Sequence, residues 1–167
     1  MKSLVPNTKE KNDVFYTPEP YCSLIVNHFK PKGKVLEPCC GSGNFLKYLP
    51  ANTDWCEITK GRDFFDYHKK VDWIITNPPF SLFRKFLQHS MELSTSIVFF
   101  AVLNHFWLKA RLRDITENGF GIKDIMLTDT PSTFPQSGFQ VGCVKLEKGY
   151  KDKIEFLDFR NMVKEEK

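Results

Sequence analysis

The sequence predicts an α/β fold with a mostly parallel sheet and one antiparallel strand near the C-terminus. Apolar runs rich in β-branched residues alternate with segments of helical periodicity over most of the chain, and the last part contains a strand, a loop and a further strand. Strands separated by helices pair in parallel, because the helix carries the chain back along the sheet, whereas a strand–loop–strand pair runs antiparallel.

The length and composition fit a single globular domain. The chain has 167 residues, of which 41% are hydrophobic and 26% charged, which is enough to build a sizeable core. We expect a flexible arm at residues 1–13, one catalytic domain at residues 14–160 and a charged tail at residues 161–167. The net charge of +4 permits an anionic partner without requiring one.

The cysteines indicate a reducing compartment and no metal site. There are 5 of them, with no CxxC pair and no Cys/His spacing typical of zinc. The odd number and the lack of a secretory leader predict a cytoplasmic protein. The most apolar run, residues 96–103, is too short to span a bilayer, so no membrane association is expected.

The first helix and strand lead into a glycine-rich turn. A helical stripe covers residues 21–29, and Thr17 is a candidate cap for this helix. Residues 35–38 form the first predicted strand, and a turn containing Gly41 and Gly43 leads from it into a short helix before Pro50. Strand, glycine turn and helix are typical of the opening of a nucleotide-binding unit.

The remaining elements continue this alternation. Further strands are predicted at residues 54–58, 71–76, 96–103, 122–128 and 139–146, with an edge strand at 153–159. Helices are predicted at residues 81–93 and 104–118, and the second of them is basic and amphipathic. Between the second and third strands the chain has barely room for a helix.

The third strand ends at Asn77-Pro78-Pro79-Phe80, here called the Asn77 turn (residues 77–80). Two successive prolines cannot continue a sheet ladder, so the chain is rigid at the carboxyl end of a strand, where open sheets bind ligands. The Asn77 amide and the Pro78 carbonyl offer acceptors, and Phe80 offers a flat apolar face. This combination suits adenine N6. Taken alone, the tetrapeptide fits a simple strand-ending turn equally well.

The glycine turn and its acidic neighbours indicate a nucleoside cofactor. Glu57, at the end of the second strand, is well placed to accept hydrogen bonds from ribose hydroxyls. The turn lacks the third glycine of a dinucleotide site, and Glu37 in front of it would repel a pyrophosphate but attract an ammonium group. A nucleoside that carries an amino acid meets both conditions.

These motifs resemble those of a known enzyme family. Glu-Pro-x-x-Gly-x-Gly-Asn-Phe, then an acidic residue, Asp-Phe and Asn-Pro-Pro-Phe, is similar to the S-adenosylmethionine-dependent methyltransferases that act on adenine N6 in DNA. The aromatic-Thr-Pro segment at residues 15–18, here called the clasp, matches the class in which this segment precedes the glycine turn. The resemblance covers residues 14–146 and implies a Rossmann-like class I methyltransferase fold with S-adenosylmethionine as cofactor.

The resemblance also implies a role for individual residues. At the methionine end of the cofactor, the resemblance implies that Tyr16, Thr17 and Pro18 close over the ligand. Glu37 would face its amino group, and the loop would pass beneath it at Gly41 and Gly43. Around the adenosine the implied residues are Glu57 on the ribose, Ile58 on the adenine face, and Asp63 and the Phe64 backbone on the adenine edge. The substrate base is taken by Asn77, Pro78, Pro79 and Phe80, with Phe80 stacking on it.

Contacts to the polymer are less clearly marked. His105 after a strand end and three residues of the basic helix are candidates for nucleic-acid contact, namely Lys109, Arg111 and Arg113. A core or surface histidine and a solvated helix face are the alternatives. No target-recognition domain is recognisable after Leu146, so base recognition is expected from residues 104–118 and 130–138, from a separate specificity partner or from a homodimer.

The predicted function is methyl transfer to the exocyclic N6 of adenine, with DNA favoured over RNA. Acceptors at Asn77 and Pro78 favour the form of the nitrogen whose lone pair is free, and no general base is required. Three alternatives stay open: an RNA adenine-N6 methyltransferase, a protein glutamine-N5 methyltransferase with a related Asn-Pro-Pro-aromatic motif, and a non-catalytic cofactor-binding subunit.

Overall fold

The structure of the chain is a computed structural model that describes residues 14–165. The arm predicted at residues 1–13 and the last two residues of the predicted tail lie outside this range. The described strands are β1 (Val35–Glu37), β2 (Asp54–Trp55), β3 (Trp73–Thr76), β4 (Ser96–Val102), β5 (Phe120–Leu127), β6 (Val141–Lys148) and β7 (Glu155–Asp158). The α-helices are α1 (Glu19–Phe29), α2 (Phe83–Leu93) and α3 (Lys109–Glu117).

The strands form one seven-stranded sheet in the order β2-β1-β3-β4-β6-β5-β7. Strands β1 to β4 pair in parallel, β6 is antiparallel to both of its neighbours, and β7 is parallel to β5. The predicted fold class is therefore confirmed. Because β2 and β3 lie on opposite sides of β1, the strand order reverses here, and ligands of such sheets bind at the carboxyl ends of the strands beside this point.

The sheet has an apolar layer on each face, and β4 contributes to both. Ile97 and Phe99 pack with α2 and α3 on one face, and Val98 and Phe100 pack with α1 on the other. Successive side chains of a strand point to opposite faces, so a strand buried on both sides has to be apolar throughout. The two layers hold the carboxyl edge of the sheet, where the candidate site lies.

The helices differ from the sequence-based prediction in where they start. Thr17 does not cap α1, because the N-cap residue is Pro18 and no side chain caps this end. The short helix predicted after the glycine turn is only a 3₁₀ turn, Phe45–Lys47. The basic helix begins at Lys109 rather than at residue 104, because Leu103–His105 form a 3₁₀ turn and Leu108 has extended backbone.

The connection from β2 to β3 contains two 3₁₀ turns, Ile58–Lys60 and Phe64–Asp66, and no α-helix, as predicted. Among residues 14–165, no helix combines the length and the apolar character needed to cross a membrane.

Candidate functional site

A cavity of about 430 Å³ lies at the carboxyl ends of β1, β2 and β3. Its walls are the clasp, the glycine loop (residues 39–44) and the Asn77 turn. Of the residues implied for cofactor and substrate, it is lined by Tyr16, Thr17, Glu37, Gly41, Glu57, Ile58, Asp63, Phe64, Asn77, Pro78, Pro79 and Phe80. Pro18 and Gly43 do not line it. A volume in this range accommodates a small organic ligand.

Three side chains hold the clasp over this cavity. The carbonyl of Phe15 accepts a hydrogen bond from Asn77 Nδ2 at 2.7 Å. The carbonyl of Tyr16 accepts one from Thr133 Oγ1 at 3.0 Å, and the carbonyl of Thr17 accepts one from Asn44 Nδ2 at 2.9 Å. The donors belong to the Asn77 turn, to the loop before β6 and to the glycine loop. The clasp is therefore attached to the Asn77 turn and the glycine loop, which line the cavity, and to the loop before β6.

Gly41 and Gly43 both have a positive φ, but only Gly41 is also closely packed. A Cβ atom on Gly41 would lie 2.6 Å from Cε1 of Tyr16, so the ring of the clasp tyrosine rests directly on the glycine loop. Gly43 has open space around it but a φ of +86°, which side chains disfavour. Gly43 thus shapes the turn and does not face the cavity.

Glu57 is ionised and is fixed by groups of the chain itself. Its Oε2 accepts from the Gly41 N–H at 2.9 Å, and its Oε1 accepts from the Thr59 N–H at 3.1 Å and the Thr59 hydroxyl at 2.8 Å. Burial opposes ionisation, but these hydrogen bonds outweigh it and lower the pKa of Glu57. A carboxylate has lone pairs for about four hydrogen bonds, so it can still accept from a ligand hydroxyl.

The cavity is apolar at its rim next to Glu57. Ile58 is 71% exposed although it is a large apolar residue, so a planar ring would cover it with a gain in free energy. Asp63 caps the following 3₁₀ turn, with Oδ1 accepting from the Phe65 N–H at 2.9 Å. The ring of Phe64 is buried against Phe86 at 4.9 Å between centroids, so it supports the wall from behind.

Glu37 is a buried acid at the base of the cavity. It is 1% exposed, and Oε1 accepts hydrogen bonds from the Thr76 hydroxyl and from the Cys39 N–H. Burial raises the pKa of Glu37 to about 8, against the effect of these two donors. The carboxyl is therefore largely protonated at neutral pH, and a cation placed beside it would favour its ionised form.

Two buried oxygens in this region have no hydrogen-bond partner among the described residues, Thr17 Oγ1 and Asn77 Oδ1. Leaving such an atom unsatisfied costs about 1–3 kcal/mol, so it points to a ligand or to an adjustment on binding. Phe80 lies beside Asn77 with its ring 5.9 Å from Phe15 and 4.9 Å from His105. The end of β3 thus combines a free acceptor with an aromatic face.

The candidates for nucleic-acid contact are not brought together. The ring of His105 stacks on Phe83 at 5.2 Å and belongs to the aromatic layer around Phe80. Arg111 turns inward, donates to the His105 carbonyl at 2.7 Å and lies 5.2 Å from the Phe83 ring. Lys109 and Arg113 are exposed and remain available to a polyanion.

Several residues of the site were not found from the sequence. Cys39 and Thr76 bond to each other and connect Glu37 with the Asn77 turn, and Phe134 packs on both Phe15 and Phe80 at 6.2 Å. Thr76 directly precedes Asn77, so its position was a usable signal. Phe134 carries no local signal, because it lies in a proline-containing loop far along the chain. No group of three potential metal ligands occurs within residues 14–165.

Comparison with known families supports the resemblance drawn from the motifs. The family model described as N-6 DNA Methylase matches residues 1–54, which include the clasp, Glu37 and the glycine loop. A search of curated protein sequences gave no match.

Solved structures resemble the whole described fold. A Listeria monocytogenes protein assigned as a class I S-adenosylmethionine-dependent methyltransferase superposes with a TM-score of 0.63 at 13% identity, covering 85% of this chain and 65% of that chain. The fold is that of a class I methyltransferase. A Pyrococcus horikoshii protein assigned as an RNA methyltransferase gives a TM-score of 0.60 at 16% identity, covering 87% of this chain and 90% of that chain.

The M protein of the type I restriction enzyme EcoKI is also similar. It gives a TM-score of 0.62 at 16% identity, covering 87% of this chain but only 48% of that chain. The chain therefore spans about half of the EcoKI M protein and 65% of the Listeria protein. At these identities the likeness concerns the fold.

Proposed function

We propose that this chain transfers a methyl group from S-adenosylmethionine to the exocyclic N6 of adenine in DNA. The observation that carries the proposal is the buried, unpartnered Oδ1 of Asn77, a residue that lines the same cavity as Phe80 and the glycine loop. The amino group of a planar base can donate a hydrogen bond to this acceptor, and the base itself offers a π-face on which the Phe80 ring can stack.

The residues of the cavity fit the proposed cofactor. Thr17 Oγ1 is a second buried oxygen without a partner and can bind the amino-acid end of the ligand, and Glu37 offers an acid to its ammonium group. Glu57 would accept from the ribose hydroxyls, and the exposed Ile58 would pack on the adenine. When bound, S-adenosylmethionine supplies a methyl group on a positively charged sulfur.

The contribution of the chain to the reaction is alignment and charge placement. Asn77 Oδ1 and the Pro78 carbonyl would accept hydrogen bonds from N6 and favour the geometry that frees its lone pair. Phe80 would fix the plane of the base and offset the stacking lost when the base leaves a duplex. The proton can leave to water after transfer, so no side chain of this site is needed as a base.

The N-6 DNA Methylase match and the likeness to the EcoKI M protein support DNA as the polymer. The EcoKI M protein is described as part of a type I restriction enzyme, and by analogy we further propose that a partner subunit or a second copy contributes to sequence recognition. The exposed Lys109 and Arg113 would then contribute phosphate contacts, which position a nucleic acid without specifying its sequence.

Tritium transfer from labelled S-adenosylmethionine to unmethylated DNA, to RNA and to bulk protein tests this function. We expect label in DNA, recovered as N6-methyldeoxyadenosine after digestion to nucleosides, and its loss in Asn77→Ala. Label in RNA or in glutamine side chains would replace the proposed substrate by one of the alternatives. No transfer to any polymer, together with cofactor binding, would identify a non-catalytic subunit.

A further inference from the structure

Asn77 is held from two sides by the two segments that would enclose the cofactor. Its side-chain amide donates to the clasp at Phe15, and its backbone carbonyl lies 3.2 Å from the thiol of Cys39, in the glycine loop. These contacts bridge 62 and 38 positions of sequence, so they depend on the assembled site.

The clasp contact determines which way the amide faces. A primary amide has donors on its nitrogen and acceptor lone pairs on its oxygen. Because the Phe15 carbonyl can only accept, it binds the nitrogen end at 2.7 Å and leaves Oδ1 as the end without a partner. The bonds from Thr133 and Asn44 to the next two carbonyls hold the Phe15 carbonyl in place.

The contact from the glycine loop continues into a buried series of polar groups. The thiol of Cys39 also lies 3.0 Å from the Thr76 hydroxyl, which donates to Glu37. Asn77, Cys39 and Glu37 line the cavity, and Thr76 is fully buried between them. The backbone of the Asn77 turn is thereby tied to the acid expected to face the cofactor ammonium group.

We infer that the Phe15 carbonyl and the Cys39 thiol are positioning groups that aim the acceptor of Asn77 at the substrate amino group. The inference rests on the proposed function. When the clasp closes over the cofactor, the same hydrogen bond then orients the Asn77 oxygen that accepts from the substrate. By linkage, a change at Asn77 has to alter the clasp, and a change in the clasp has to alter Asn77.

The first experiment separates the donor of Asn77 from its acceptor. Asn77→Asp keeps oxygen acceptors but cannot donate to the Phe15 carbonyl, and its carboxylate repels that carbonyl. In the ligand-free protein we expect hydrogen exchange of the clasp to accelerate about threefold or more, the effect of losing one hydrogen bond. Asn27→Asp, which loses a side-chain hydrogen bond on the exposed face of α1, is the matched control and should leave the clasp unchanged.

The same variants have a catalytic readout. We expect Asn77→Asp to lower kcat about tenfold or more for the wild-type substrate, although an acceptor is still present. Unchanged clasp exchange together with near wild-type kcat in Asn77→Asp would overturn the inference. If exchange responds while the wild type methylates no polymer, the proposed function fails and the link between clasp and turn stands.

The second experiment addresses Cys39. Cys39→Ala should lower kcat several-fold, by a larger factor than it lowers the affinity for S-adenosylhomocysteine, because the thiol contacts the carbonyl of Asn77. Cys39→Ser restores a donor of similar size and should recover most of the loss. Equal kcat in all three proteins, or a loss that Cys39→Ser does not repair, would show that the thiol only fills space.

Discussion

The ring of Tyr16 covers Gly41 so closely that a single added carbon would lie 2.6 Å from its Cε1 atom. The clasp and the glycine loop are therefore in direct contact across the cavity, with no room for a side chain between them. Two parts of the chain that are separate in the sequence act as one wall, and variants at this contact can test whether that wall holds the cofactor.

Replacing Gly41 by alanine should weaken cofactor binding beyond its effect on stability. The added methyl group displaces Tyr16, and φ of +52° adds backbone strain of about 1 kcal/mol. Gly149→Ala has a similar strain, with φ of +78°, but open space around it, and serves as the control. In thermal denaturation we expect both variants to be destabilised, but only Gly41→Ala to lose the stabilisation by S-adenosylhomocysteine. An equal ligand response in both would contradict this account of the contact.

Glu37 should make the protein less stable as the pH rises through neutrality. Burial raises its pKa from 4.5 to about 8, so the folded state retains a proton that the unfolded state releases. The stabilising contribution is complete below pH 4.5 and is lost as the pH approaches 8. Relative to Glu37→Gln, the free energy of unfolding of the wild type should fall by up to about 1.4 kcal/mol for each pH unit between roughly 6 and 7.5.

Chemical denaturation of both proteins over this pH range measures the difference. Glu57→Gln is the matched control, because its pKa is lowered rather than raised and its carboxylate is already ionised in this range. Parallel pH profiles for wild type and Glu37→Gln would mean that Glu37 is charged in the free protein.

Asp63→Ala should reduce the thermal shift produced by S-adenosylhomocysteine, whereas Asp66→Ala should not. Both acids belong to the same short turn, but only Asp63 lines the cavity. Losing one hydrogen bond from a charged acceptor corresponds to about 1.5–3 kcal/mol of binding free energy, or roughly ten- to hundredfold in affinity. Isothermal titration gives the affinities directly. Similar values for the two variants would remove Asp63 from the cofactor site.

The residues of α3 should divide into two classes. Lys109→Gln and Arg113→Gln neutralise exposed charges and should each flatten the dependence of DNA affinity on salt, with a slope smaller by about 0.9 for each phosphate that is no longer neutralised. Arg111→Gln should instead lower the melting temperature, because it breaks the bond to the His105 carbonyl and the packing on Phe83.

Fluorescence anisotropy with labelled DNA at several salt concentrations measures these slopes. Lys151→Gln is the control, an exposed lysine in the connection from β6 to β7. A salt slope that is reduced in the control as much as in Lys109→Gln would indicate that the net charge, and not α3, attracts the nucleic acid.

Local patterns were sufficient to locate the strands and the Asn77 turn, because each depends on neighbouring residues, although β2 ends at Trp55 rather than at residue 58 as predicted. The apolar run of β4 and the two prolines after Asn77 allow few other conformations. The orientation of the Arg111 side chain could not be predicted from local patterns. Helical periodicity predicts which residues share a face of α3. The groups that contact the guanidinium are the Phe83 ring in α2 and the His105 carbonyl in the turn after β4, which the periodicity of α3 does not include.

Burial sets a similar limit at the site itself. An acid in front of a glycine turn can be recognised from the sequence, but its proton depends on how completely the surrounding strands exclude water, and Glu37 is 1% exposed. Phe134 is the extreme case, since it reaches Phe15 and Phe80 only after β5 and β6 have brought its loop back to the clasp.

The bond between Thr133 and the carbonyl of Tyr16 joins residues 117 positions apart. During synthesis on the ribosome, the clasp emerges before the glycine loop and the Asn77 turn, and Thr133, one of the three side chains that hold it, emerges after both. Domains fold largely as units once their chain is available, and a nascent chain that stops short of Thr133 has the glycine loop and the Asn77 turn but lacks one of the three bonds that hold the clasp. The set of bonds that hold the clasp is therefore complete only after Thr133 has left the ribosome.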